Sequence, residues 1–298
     1  MTQPQPQPGQ PWPPQPGQTA QQAQPTGAFV PANGLQMYYE VSGAGEPLVL
    51  LHGGTASSAS WADDVLIFSQ QFRVFAVDLR GHGRTVNPTG ELSYQVMAED
   101  VLAFCVALAL TQPFFCGHSD GGNVALDLAM RHAALPRALV LSGVAHGSAG
   151  DTSGGSAGPA GYGALLKQYL GPAGAAVPAP QDLRKIEQGL PDLVNSLRNL
   201  HDVWQQPDYW KTLVSQTWQM WNTPLGYKTE DFKFVTAPTL VLLGDRDELL
   251  PIEEAVSLYH ALPTAELAIL PNTGHAFTPY MRSMAFDFLR RQRDGVPG

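Results

Sequence analysis

Four continuous apolar runs, each closed by a turn, constrain this chain more than any other feature. They are PLVLLHGG (47–54), FRVFAVDLRGHG (72–83), PFFCG (113–117) and ALVLSGVA (138–145). A strand with one face in water alternates apolar and polar residues. Continuous runs mark strands buried on both faces, as in a parallel sheet. Helical spacing fills the gaps: SYQVMAEDVLAFCVALAL (93–110), with Ser93 as N-cap, and GGNVALDLAMRHA (121–133). The alternation predicts a doubly wound α/β sheet.

The same rhythm returns near the end. PTLVLLGDRDE (238–248) and AELAILPNTGH (265–275) read as parallel strands, with the helix IEEAVSLYHAL between them. AFDFLRRQRDG (285–295) closes the chain as a helix. Before the first run, AFVPANGLQMYYEVSG reads as two β segments around Asn33-Gly34, a dipeptide suited to the positive φ angles of a tight hairpin.

Between these halves the pattern breaks. HGSAGDTSGGSAGPAGYG (146–163) is small and turn-rich, and a helical region over about 181–222 carries Trp204, Trp210, Trp218 and Trp221. The expected organisation is a Pro/Gln-rich disordered tail over 1–26, an α/β core over 27–145 and 234–298, and a helical cap inserted at 146–233. With 298 residues, 44 % of them hydrophobic, the chain can bury one large core.

Charge and composition exclude several roles. The formal charge of −9 is scattered, with no basic block to attract nucleic acid or an anionic membrane. The longest apolar stretch, VLAFCVALAL (101–110), is half of what a bilayer needs. The first 26 residues hold no charge and no apolar core, unlike a secretory signal, so a cytoplasmic location is expected. Cys105 and Cys116 lie in apolar runs and read as buried free thiols, too few for a cysteine-based zinc site. No dinucleotide or phosphate loop is present, so no cofactor is expected.

The chemistry-bearing stretch is GHSDGG (117–122). A Gly-x-Ser-x-Gly turn between a strand and a helix lifts a serine on a sharp bend. A serine hydroxyl needs a base, a group that orients the base, and donors for an oxyanion. His275 follows the strand 266–270, and both Asp245 and Asp247 follow the strand 239–243 in GDRDE. Either aspartate can reach round a short turn. Such sites collect at the carboxyl ends of parallel strands. A histidine base predicts activity lost on the acid side, as imidazole protonates.

Taken together, LLHGG (50–54), DLRGHGRT (78–85), GHSDGG (117–122), GDRDE (244–248) and NTGH (272–275) resemble the α/β-hydrolase superfamily with a helical cap, over about residues 27–298. The resemblance implies an eight-stranded, mostly parallel sheet and a serine hydrolase of the esterase and lipase kind. It selects Asp247 over Asp245 and implies Ser119, Asp247 and His275 as the catalytic residues. It implies the backbone N–H groups of Gly54 and Asp120 as oxyanion donors, each worth about 10²–10³ in rate. Thr85 stands where many relatives carry serine. The Asp120 side chain is expected to be held by hydrogen bonds, with contact to a cationic substrate group as the alternative. His52, His82 and His118 are expected to be structural. His146, Trp204, Trp218 and Trp221 are candidates for lining a pocket. The expected substrate is a small, largely apolar ester, lactone or thioester. Perhydrolase or haloperoxidase chemistry, carbon–carbon bond hydrolysis and a ligand-binding role are the alternatives. Oligomeric state is not legible.

Overall fold

A computed structural model describes residues 26–146, 169 and 178–296. The Pro/Gln-rich tail and most of the Gly-rich start of the insertion lie outside the described residues.

Eight strands form one sheet: β1 (Thr26–Ala32), β2 (Leu35–Ser42), β3 (Pro47–Leu51), β4 (Arg73–Val77), β5 (Phe114–His118), β6 (Leu139–Ser142), β7 (Thr239–Gly244) and β8 (Ala265–Leu270). Their order is β1-β2-β4-β3-β5-β6-β7-β8. The β1–β2 hairpin turns at Asn33 and Gly34, with φ of 47° and 76°, and β2 is antiparallel to β4. Every remaining pair is parallel.

The helices of the core are α1 (Ala62–Phe68), α2 (Tyr94–Ala107) and α3 (Asp120–Arg131). After β6 come α4 (Pro180–Gly189), α5 (Pro191–Leu197) and α6 (Tyr209–Trp221). Then α7 (Ile252–Ala261) and α8 (Pro279–Asp294) complete the core. Strand β5 shows why its run is continuous: Phe115 packs with α2 and α3 on one face, while Phe114 and Cys116 pack with α1 and α8 on the other. Cys105 and Cys116 are buried and free, and burial pushes the Cys105 thiol up to about 12.

The sequence expectation missed α1 and the 3₁₀ turns Ser58–Trp61 and Thr229–Phe234, and it shortened α8. Helix α1 and the 3₁₀ turn Ser58–Trp61 before it are too short to show a period; Ser57 caps that turn. Helix α8 starts at Pro279, six residues before the amphipathic stretch that announces it, because Thr278 caps it and proline is pre-shaped for the first helical position. The inserted helices have their own core of Leu183, Ile186, Val194, Leu197, Trp210, Val214 and Trp218. Trp221 packs on both that core and the sheet's.

Candidate active site

Ser119 sits at the sharp turn from β5 to α3 with φ 53° and ψ −122°, a region that costs a side-chain-bearing residue energy. Its N–H donates to the Ser142 carbonyl at 2.8 Å, and its own carbonyl accepts from Gly122 and Asn123. The flanking glycines are steric requirements. A Cβ at 117 would stand 2.4 Å from the Gly121 carbonyl oxygen, and one at 121 would stand 2.1 Å from the Leu51 carbonyl oxygen. Turn, helix and neighbouring strand pack too closely for any side chain there.

Asp247 follows β7 and is buried. Its Oδ1 accepts from the N–H groups of Leu249 and Leu250, at 2.9 and 3.0 Å, and its Oδ2 faces His275 Nδ1 at 2.8 Å. His275 follows β8, and its Nε2 is 3.0 Å from Ser119 Oγ. Accepting from Nδ1–H, Asp247 leaves Nε2 as an acceptor aimed at the serine hydroxyl. Asp245 instead accepts from the Thr273 N–H at 3.2 Å and so shapes the loop that carries His275. The Glu248 carboxylate accepts from the His275 N–H at 3.2 Å.

A second imidazole stands beside His275. The His118 and His275 rings are 5.0 Å apart, and His118 Nδ1 lies 3.4 Å from Ser142 Oγ. Burial, then the neighbouring His275, pushes the His118 pKa down to about 3. His118 therefore stays neutral and does not compete with His275 for a proton.

Asp120, next to Ser119, is also buried. Tyr94 donates to its Oδ1 at 2.7 Å, and Trp221 Nε1–H is shared between both oxygens at 2.9 Å. Burial raises the Asp120 pKa, and the Tyr94 and Trp221 hydrogen bonds oppose that rise. The same carboxylate holds the Tyr94 pKa well above the ordinary phenol value, after burial itself. A Cβ at Gly54 would stand 2.2 Å from Asp120 Oδ2 and 2.9 Å from Trp221 Cζ2, and one at Gly53 would stand 3.2 Å from Ser119 Cβ. The Gly53-Gly54 backbone thus lies directly over the serine turn.

The backbone from Gly53 to Thr55 is gripped by three buried imidazoles. His52 Nδ1 donates to Gly53 O at 2.8 Å, while its Nε2 accepts from Leu79 N–H at 3.0 Å. His82 Nε2 accepts from Thr55 N–H at 3.1 Å, while its Nδ1 donates to Arg80 O at 2.9 Å. His201, from the π-helical turn Arg198–Asp202, donates through Nε2 to Thr55 O at 2.9 Å and accepts at Nδ1 from Gly83 N–H at 2.9 Å. Burial is the main cause that lowers all three pKa values, that of His52 to about 4.

The structure therefore brings together Ser119, Asp247, His275, Asp120, Gly54 and Trp221. It does not bring in the other pocket candidates. His146 turns to α7, where its Nε2 meets Ser257 Oγ at 3.0 Å and its ring packs on Phe232. Trp218 is interior to the inserted helices' core. Trp204 is half exposed and lies over the Arg84 guanidinium at 4.4 Å. These three face other neighbours because the way the inserted helices pack, not residue type, decides which aromatic reaches Asp120. Tyr94 and His201 carry no sequence signal: one starts a helix, the other lies within a short π turn. Among the described residues no group of three His, Cys, Asp or Glu side chains could hold a metal. No helix among them is long and apolar enough to cross a membrane.

Known proteins of similar sequence and of the same fold accompany this architecture. A 2-hydroxy-6-oxo-6-(2'-aminophenyl)hexa-2,4-dienoic acid hydrolase of Metapseudomonas resinovorans is 26 % identical over 270 residues, covering 83 % of each chain. A meta-cleavage product hydrolase from Pseudomonas fluorescens IP01 superposes with a TM-score of 0.67 at 22 % identity, over 91 % of this chain and 98 % of that one. The enol-lactonase from Burkholderia xenovorans LB400 superposes with a TM-score of 0.65 at 20 % identity, over 90 % of this chain and all of that one. Residues 48–289 match the alpha/beta hydrolase family, and the chain belongs to it.

Proposed function

We propose that this hydrolase cleaves carboxylic ester or lactone bonds of a small, largely apolar substrate through an acyl-enzyme on Ser119. The carrying observation is the unbroken line from Asp247 Oδ2 through His275 to Ser119 Oγ, with contacts of 2.8 and 3.0 Å. Ser119 Oγ attacks the carbonyl carbon as its proton passes to His275 Nε2. Asp247 keeps the proton on Nδ1 and stabilises the imidazolium. The carbonyl oxygen becomes an oxyanion, for which the Gly54 and Asp120 N–H groups are the proposed donors. Asp120 is the first residue of α3, where a helical N–H has no partner within the helix. The C–O bond then breaks, and the alcohol leaves with the proton from His275. Water gives a proton to His275 and attacks the acyl carbon, and Ser119 recovers its hydrogen as the acid departs. No cofactor enters any step.

Asp120 is buried and accepts from Tyr94 and Trp221, which favours a holding role over contact with a cationic substrate. The Metapseudomonas relative's activity supports a second reading, carbon–carbon bond hydrolysis of a dienoic acid with the same residues. Against it, a buried carboxyl beside the serine is a poor neighbour for an acidic substrate.

Two assays separate the readings: hydrolysis of p-nitrophenyl esters from acetate to octanoate, and loss of the absorbance of a 2-hydroxy-6-oxohexadienoate. Ester turnover by the wild type that Ser119→Ala reduces by roughly 10⁴–10⁶-fold is expected. Turnover of the dienoate alone sinks the ester reading. Ester turnover that survives Ser119→Ala sinks the Ser119 acyl-enzyme, and dienoate turnover that survives it sinks the second reading.

A further inference from the structure

We propose that His201 is a positioning residue that couples the seat of the inserted helices to the orientation of the Gly54 N–H. The inference rests on Gly54 being an oxyanion donor. His201 is the only imidazole of the three grips that comes from the insertion. It is fully buried and holds two backbone groups of the core at once, Thr55 O and Gly83 N–H, both at 2.9 Å. Its two bonds fix one tautomer, with the proton on Nε2. Thr55 needs such a hold, because it keeps φ at 58°, which a β-branched residue reaches only at a cost. Thr55 is bonded on both sides of its residue, by His82 at the N–H and His201 at the carbonyl. The peptide that carries the Gly54 N–H immediately precedes that stretch. The chain that supplies His201 is anchored to the same core loop at two further points: Gln205 donates to Gly81 O and Gly83 O, and Tyr209 donates to Gly81 O at 3.0 Å. Lifting the insertion would release the Thr55 carbonyl, and the loop over the serine would lose its outer support. A donor displaced by a fraction of an ångström loses much of its effect on a developing oxyanion.

Three variants divide the two bonds. His201→Gln keeps a donor at the Nε2 position and so keeps the bond to Thr55. His201→Asn keeps an acceptor at the Nδ1 position and so keeps only the bond to Gly83. His201→Leu keeps neither. We expect His201→Leu and His201→Asn to lower kcat for a p-nitrophenyl ester about 10-fold to 100-fold with KM little changed, and His201→Gln to recover most of that loss. Amide hydrogen exchange in residues 53–58 is read on the same samples. It should rise in Leu and Asn and stay near wild type in Gln. If Asn and Gln behave alike, or KM alone moves, His201 is only an anchor and the proposal is overturned. Unchanged exchange in all three overturns it whatever the activity. Raised exchange in a protein whose wild type turns over no ester overturns the ester reading instead, and with it the oxyanion role assigned to Gly54 under that reading.

Discussion

At the carboxyl rim of the sheet, the residues of the site are held by backbone. Ser119 stands at φ 53° on a turn that tolerates only glycine at 117 and 121, and Asp247 and His275 leave strand ends on short bonded loops. In the insertion, the residues that touch the site are held by helix packing and reach it with long side chains. Trp221 ends α6 and bonds Asp120, and His201 bonds Thr55 from a π turn. The rim is therefore rigid at the atoms where a proton must move.

The contrast is broken most severely at the rim. Gly121→Ala would force a Cβ into the Leu51 carbonyl oxygen, a backbone group that cannot rotate away. A loss of 3 kcal/mol or more is expected, read as a fall in Tm or as insoluble protein. Near-native Tm in this variant would show that the rim can shift.

The junction of the two regions should fail in acid. Burial lowers the pKa of His52 from 6.5 to about 4 and lowers those of His82 and His201, with the Asp78 charge opposing it for His52 and His201. The unfolded chain takes up these protons below about 6.5, and the folded chain only at lower pH. Stability from neutral imidazoles is therefore complete above 6.5 and is lost as pH falls towards 4, by roughly 3 kcal/mol for His52 alone. Asp64, Asp100 and Asp120, whose pKa values are raised, act with the opposite sign. Comparing the wild type with His52→Asn isolates the imidazole term. The fall in Tm between pH 7 and 4.5 should be smaller in the variant, and equal falls would refute the assignment.

Within the insertion, two tryptophans should behave differently. Trp221→Phe leaves the buried Asp120 carboxyl short of its indole donor and should cost about 1–3 kcal/mol. Trp204→Ala loses a half-exposed stack on Arg84 and should cost about 1 kcal/mol or less. Denaturant unfolding of both ranks them, and equal costs would mean that Asp120 finds another partner.

The alternation of apolar runs and helical spacing, the hairpin at Asn33-Gly34 and the serine turn were all legible as sequence, because each follows from local geometry. Two-sided burial demands unbroken apolar strands, and a turn closed on glycine needs glycine at set positions. The choice between Asp245 and Asp247 was not local: both can round the turn, and only packing of the β8 loop gives one of them to His275. Which tryptophan bonds Asp120, why Asp120 needs Tyr94, and that His201 reaches Thr55 across 146 positions of chain were decided by tertiary structure alone. Contacts between distant segments depend on how the inserted helices settle on the sheet, and no short stretch of residues carries that information.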